Sequence, residues 1–317
     1  MNVVEKLYTV IILSAAVIGI GLGRIDGIEA NAEHFIVPLL MLMLYLTFLQ
    51  IPLQQVKQAF GNTRFASASL LINFLWTPLL AWFLASLFLG DQPALYIGFI
   101  MLMVTPCTDW YLVFTGIAKG NVVLSTAILP VNLLLQIVLL PVYLLLFSGT
   151  TGKVELTFLM ESIFIVLLLP LLLAIATKKL FRNSTWLNEN LTAKLSALPL
   201  IFLSLAIAAM FASQGTLLLG NLELLGQLLV PILLFFIVNF IVSQITGRLL
   251  NFSYPDQASL SLTTLARNSP IALAIAMAAF PDQPLIALTL VIGPLLELPV
   301  LAVLTQLLLV LRKPSVP

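Results

Sequence analysis

Read along its length, the chain is a succession of long apolar runs parted by short polar stretches. A helix needs about 20 consecutive apolar residues to cross a hydrocarbon core. In lipid a backbone must satisfy its own hydrogen bonds, so each run is predicted to be a helix. Ten spans are expected, over residues 7–23, 34–50, 66–89, 94–118, 122–147, 156–177, 195–213, 222–248, 258–280 and 284–311. The intervals carry loop punctuation: Gly61-Asn62, Gly90-Asp91-Gln92-Pro93, Ser148-Gly149 and Pro281-Asp282-Gln283-Pro284. Ala30-Asn31-Ala32 has the small residues of a signal-peptide cleavage site. The run at 7–23 is nevertheless 17 residues, longer than an h-region of about 7–15, and Arg24, Asp26 and Glu29 intervene. It is retained as the first span.

Composition agrees with the pattern. Of 317 residues, 61% are hydrophobic and 9% charged, with a mean hydropathy of +1.14. A soluble domain carries about 25% charged residues, so this chain has too few charges to solvate a globule of its size. The solvent expected for it is the lipid bilayer of the cell (inner) membrane. A net charge of +1, from 14 Lys and Arg against 13 Asp and Glu, provides no basic face for nucleic acid. A single cysteine excludes an internal disulfide and a zinc site built on cysteines. There is no Walker loop, no paired-Asp metal motif and no Ser/His/Asp arrangement. No enzymatic activity, cofactor or resident metal is therefore expected.

Charges in the short loops set a direction. One side collects Lys6, Lys57, Arg64, Lys119, Lys178, Lys179, Arg182, Lys194, Arg248, Arg312 and Lys313, the other only Arg24 and Lys153. That is 11 against 2, which places both termini in the cytoplasm. Ten spans also divide into two sets of five, residues 1–150 and 151–317, and an odd number per set gives the halves opposite orientations. Landmarks recur at a near-constant offset: Pro38 and Pro199 (161), Asn73 and Asn239 (166), Pro106 and Pro270 (164), Pro130 and Pro294 (164). Inverted five-helix repeats are a transporter signature, with the site between the repeats near the bilayer midplane.

The polar interruptions fall at matching places in the two halves. In span 4, Thr105-Pro106-Cys107-Thr108-Asp109 breaks an apolar helix, and in span 9 Ala266-Arg267-Asn268-Ser269-Pro270 does the same. Proline removes a backbone donor and clashes with the preceding turn, so the helix kinks or unwinds there. Paired broken helices point to a substrate site, because freed amides and carbonyls can face a ligand. Counted from their span starts, Cys107 lies 13 residues in, Asn268 ten and Glu297 13, all near the midplane. Asp109 and Arg267 each lie nine residues from the cytoplasmic ends of their spans, 118 and 258. Charges are costly at that depth unless paired or hydrated, so the two are predicted to form an ion pair just inside the site. The alternative is that Arg267 serves an anionic substrate. Glu297 has no second mid-membrane cation. A carboxylate there is expensive to keep ionised, which suits it to carrying a proton. Asn132 and Gln136, at the equivalent place in span 5, either line the same cavity or bridge helices. Cys107, at a helix break, would offer a thiolate, which selects soft metals and metalloids. His34 reads as an interfacial anchor, and Gly19 with Gly23 as a helix-packing pair.

Thr105-Pro106-Cys107-Thr108-Asp109-Trp110, running into Val113-Phe114-Thr115-Gly116 and Lys119-Gly120-Asn121, resembles the fourth span of the arsenite efflux permeases. These belong to the bile acid/sodium symporter superfamily. Ala266-Arg267-Asn268-Ser269 followed by Ala272-Leu273-Ala274 resembles the superfamily's broken ninth span. Gly293-Pro294-Leu295-Leu296-Glu297-Leu298-Pro299-Val300 is similar to the efflux family's tenth. The resemblance implies an all-α membrane protein of ten helices. In it, spans 1, 2, 6 and 7 form a panel, and spans 3, 4, 5, 8, 9 and 10 a core in which broken helices 4 and 9 cross. It also implies functional roles for Cys107 and Glu297. The chain departs from the best-known permeases in following that cysteine with Asp109-Trp110, and from the sodium-coupled branch in carrying Arg267.

Two functions follow as expectations. The first is a secondary transporter exporting arsenite or antimonite in exchange for protons. Substrate would be held by Cys107, Thr108, Asn268, Ser269 and Glu297, with Glu297 also carrying the proton. The second is a sodium-coupled symporter of an organic anion, with Asp109, Thr108, Asn268 and Ser269 around the cation and Arg267 on the anion. Cys107 and Glu297 together favour export, since a sodium symporter needs no thiol. A non-transporting scaffold would leave the matched breaks unexplained. The residues set neither an oligomeric state nor a soluble partner.

Overall fold

A computed structural model of the chain describes residues 3–25, 27–50, 61–108, 110–148, 160–162, 164–181, 198–220 and 222–312. The helices in chain order are α1 (Val3–Leu22), α2 (Ile28–Gln50), α3 (Thr63–Phe88), α4 (Pro93–Met103), α5 (Trp110–Ile117) and α6 (Val122–Ser148). They continue as α7 (Met160–Leu180), α8 (Leu198–Gly220), α9 (Leu222–Leu249), α10 (Tyr254–Leu265), α11 (Ser269–Ala279) and α12 (Pro284–Leu311). Among the described residues the only strand-like feature is one isolated antiparallel bridge, Pro106 with Arg267. Among the described residues seven helices, α2, α3, α6, α7, α8, α9 and α12, are long and apolar enough to cross a membrane. The apolar helices α4 and α11 are shorter. They lie within the predicted spans 4 and 9, each of which holds two helices where the sequence pattern is a single run.

The outward faces are apolar and the inward ones carry the polar groups, the reverse of a soluble helix. In α9, Ile237, Ile241 and Ile245 form an exposed i, i+4 stripe, while Asn239, Ser243 and Gln244 are buried. Exposed Leu, Ile and Phe on this scale need a hydrocarbon solvent. Proline effects are compensated locally. Pro78 has no N–H to give the carbonyl of Phe74, one turn back in α3. The Tyr143 hydroxyl of α6 donates to that carbonyl instead, at 2.6 Å. Just before it α3 widens into a π turn over Ile72–Trp76, a feature frequent at functional sites.

The chain divides into two compact units. One comprises residues 1–51, 153–225 and 270–291. Here α8 packs against both α1 and α2, and α7 against α2. Gly19 and Gly23 face the backbone of α8 so closely that a Cβ at either would collide with the carbonyl of Ala208 or Ala212. The Tyr45 and Thr177 hydroxyls meet at 3.0 Å, and Lys178 donates to the Phe48 carbonyl at 3.2 Å. The other unit comprises residues 52–152, 226–269 and 292–317. Its helices α3, α5 and α6 all contact α10. Gly293 of α12 abuts the Leu102 side chain of α4. At one end, Asn121 Nδ2 donates to Asp256 Oδ1 at 2.8 Å, and the Tyr254 hydroxyl bonds the carbonyls of Ala118 and Leu308.

Candidate functional site

Every predicted substrate contact lies in this second unit, where the segment after α4 meets the segment after α10. Helix α4 ends at Met103, and Pro106 cannot continue it. Helix α10 ends at Leu265, and Ala266 is extended (φ −70°, ψ 138°). The two extended stretches pair antiparallel: Cys107 N–H donates to the Ala266 carbonyl at 3.0 Å, and Asn268 N–H to the Thr105 carbonyl at 2.7 Å. Backbone groups freed from both helices are thus satisfied by each other, as a buried backbone requires. The side chains join as well, with Asn268 Nδ2 donating to Thr108 Oγ1 at 3.0 Å. Thr105 turns its hydroxyl back to the Met101 carbonyl at 2.9 Å. Thr105, Cys107, Thr108, Arg267, Asn268, Ser269 and Glu297 are all buried.

Glu297 reaches this crossing from α12. Its Oε1 accepts the Arg267 N–H at 2.8 Å. The Ala266 carbonyl and the Arg267 N–H belong to one peptide unit. One edge of that peptide is therefore taken by the backbone N–H of Cys107 and the opposite edge by the carboxylate of Glu297. From sequence depth alone, Glu297 stands without a cationic neighbour; the fold gives it the residue Arg267, through the backbone amide.

The Arg267 guanidinium is enclosed. Nε donates to the Leu265 carbonyl at 3.0 Å and Nη1 to the Met103 carbonyl at 2.9 Å. Nη2 donates to Asn73 Oδ1 at 3.2 Å and to the Thr264 carbonyl. The ring of Phe235 covers it, 5.3 Å from the guanidinium carbon to the centroid. Met103, Thr264 and Leu265 are the last residues of their helices, whose terminal carbonyls lack intrahelical donors and sit at the negative end of the helix dipole. Arg267 caps both helices at once. Asp109, its expected partner, lies outside the described residues.

Asn73, from the π turn of α3, and Asn239, from α9, enter the sequence pattern only as repeat landmarks. In the fold both address the same helix end. Asn73 Nδ2 donates to the Thr263 carbonyl and Asn239 Nδ2 to Thr77 Oγ1 at 3.2 Å and the Thr264 carbonyl at 3.4 Å, while Trp76 Nε1 donates to Asn239 Oδ1 at 3.0 Å. The signal that marks them is an amide in an otherwise apolar span. Asn132 and Gln136 are buried on one face of α6, and neither amide has a hydrogen-bond partner among the described residues. The helix bridge that was one reading of them is not formed there. Among the described residues no three His, Cys, Asp or Glu side chains are placed to hold a metal ion.

Apolar outward faces and long apolar helices packed around buried polar groups are those of a multi-pass membrane protein. The chain belongs to the Sodium Bile acid symporter family, which it matches over residues 37–221. It is similar to the arsenical-resistance protein Acr3 of Corynebacterium glutamicum, 25% identical over 95% of this chain and 87% of that protein. It is equally similar to a protein of Synechocystis named an uncharacterized transporter, 25% identical over 97% of this chain and 88% of that one.

Proposed function

We propose that this transporter exports arsenite, or antimonite, from the cytoplasm in exchange for protons. The observation that carries the reading is the single peptide unit between Ala266 and Arg267, bonded by the backbone N–H of Cys107 on one side and by the Glu297 carboxylate on the other. Substrate site and proton site then share one rigid plane. Arsenous acid is neutral near pH 7 and offers no charge to drive its exit, so a second, protonatable group has to couple it to a gradient. The Cys107 thiol exchanges with one hydroxyl of the metalloid, which leaves as water, to give one sulfur bond. Thr108, Asn268 and Ser269 supply hydroxyl and amide contacts around it. One thiol ligand, rather than three, holds the substrate weakly enough for release. Similarity to an arsenical-resistance protein supports the same substrate class.

The wider frame of this reading is ten spans in two inverted repeats, 1–150 and 151–317, with both termini cytoplasmic. Alternating access then opens the crossing to each side in turn. The second reading, a sodium-coupled symporter of an organic anion, draws on the family description. It needs Arg267 to hold the anion, yet four guanidinium N–H groups are already committed to three carbonyls and an amide oxygen. Flux in proteoliposomes, with pH and sodium gradients imposed separately, decides between the two. Arsenite efflux driven by a pH gradient, and lost in Cys107→Ser with melting temperature unchanged, is the expected result. Sodium-driven uptake of an organic anion, with arsenite unmoved, establishes the second.

A further inference from the structure

The enclosure of Arg267 has the build of a cation site. Its acceptors are all neutral oxygens: the carbonyls of Met103, Thr264 and Leu265 and the amide oxygen of Asn73. Two of the segments are helix C-terminal ends, where half-helices in transporters coordinate their coupling cations. Uncharged oxygen ligands suit a hard cation. Among the described residues one carboxylate, Glu297, stands beside the cradle on the Arg267 N–H, and the guanidinium brings a single positive charge to it. Without a cation, the Met103 and Leu265 carbonyls would lose the donor that Arg267 gives them in a buried space, at the cost that unsatisfied polar groups carry.

We propose that Arg267 is a tethered cation that fills a monovalent-cation site at this crossing, so that the chain works without binding sodium or potassium there. The guanidinium supplies the charge and the donors, and its covalent attachment keeps it from leaving during the cycle. Coupling then falls to a group that can change its charge, and Glu297 is in contact with the same residue. The inference rests on reading the crossing as the transport site and names which ion that site does not take from solution. It predicts that removing the side chain creates a site for a small monovalent cation.

The test measures melting temperature and radioactive sodium binding on the full chain in detergent, at constant ionic strength, in sodium, potassium or choline chloride. The parent chain is expected to melt at the same temperature in all three salts and to bind no sodium. Arg267→Ala and Arg267→Gln are expected to melt lower in choline and to recover several degrees in sodium or potassium, saturably, with cation binding appearing in step. Arg267→Lys, which keeps a tethered charge, should show no such recovery. Saturable sodium binding to the parent overturns the proposal. So does a folded Arg267→Ala that binds neither cation, or failure of both neutral variants to fold in every salt, since a cradle built for a cation accepts one from solution. None of these readouts involves metalloid flux, so failure of arsenite export would leave the result standing.

Discussion

Glu297 and Cys107 act on the same peptide, but they should separate cleanly by substitution. Glu297→Gln keeps an oxygen that accepts the Arg267 N–H, so the fold and substrate binding should survive. What it loses is the ability to change charge, and pH-driven flux should fall to background in vesicles carrying an imposed gradient. Glu297→Leu also strands the buried N–H, and should cost about 1–3 kcal/mol of stability, read as a lower melting temperature in detergent. Undiminished pH-driven flux in Glu297→Gln would move the coupling group elsewhere, most directly to Asp109. Polar residues set in apolar runs were legible at this scale: Asn268 and Glu297 stand out because each is costly in lipid, and Cys107 because it follows the proline at a helix break. The partners of Arg267 were not. Equal depth suggests Asp109, which lies outside the described residues; the acceptors the fold does show stand 164 positions away at Met103 and 194 at Asn73. No sequence spacing encodes bonds to backbone carbonyls, since every residue carries one.

At the scale of helices, close approaches and proline gaps are the points of vulnerability. Gly23 lets α1 lie against the backbone of α8 at Ala212. A side chain there meets backbone rather than a flexible tip, so Gly23→Leu should force the helices apart and destabilise by about 1–3 kcal/mol. Gly21→Leu, one helix face away with nothing within 4 Å of a Cβ, is the control expected to melt like the parent. The small-residue spacing made this contact legible as helix packing, but not which helix it meets. Proline positions likewise mark where α4 and α10 give way. They do not reveal that the two loosened stretches pair with each other, because that pairing needs both helices to end at the same depth and side by side.

For the whole molecule, the excess of lysine and arginine on one side predicts that both termini are cytoplasmic, and topology reporters test it. A C-terminal fusion active only in the cytoplasm should be active, and a cysteine introduced at Lys153 in a Cys107→Ser background should react with an impermeant reagent from outside. Labelling only after permeabilisation would reverse the orientation. The sequence by itself determined that the chain is helical and lives in a membrane, and roughly where its helices run and break. Those properties follow from transfer free energies and proline sterics that act locally, residue by residue. Only the tertiary structure decided what the breaks are for. Asn73, Met103, Thr264, Leu265 and Glu297 come from four separate helices, and they gather around Arg267 because buried carbonyls at helix ends need a donor and a buried cation needs acceptors. That need is met in three dimensions by whichever segments packing brings together, and it leaves no period, spacing or composition behind in the sequence.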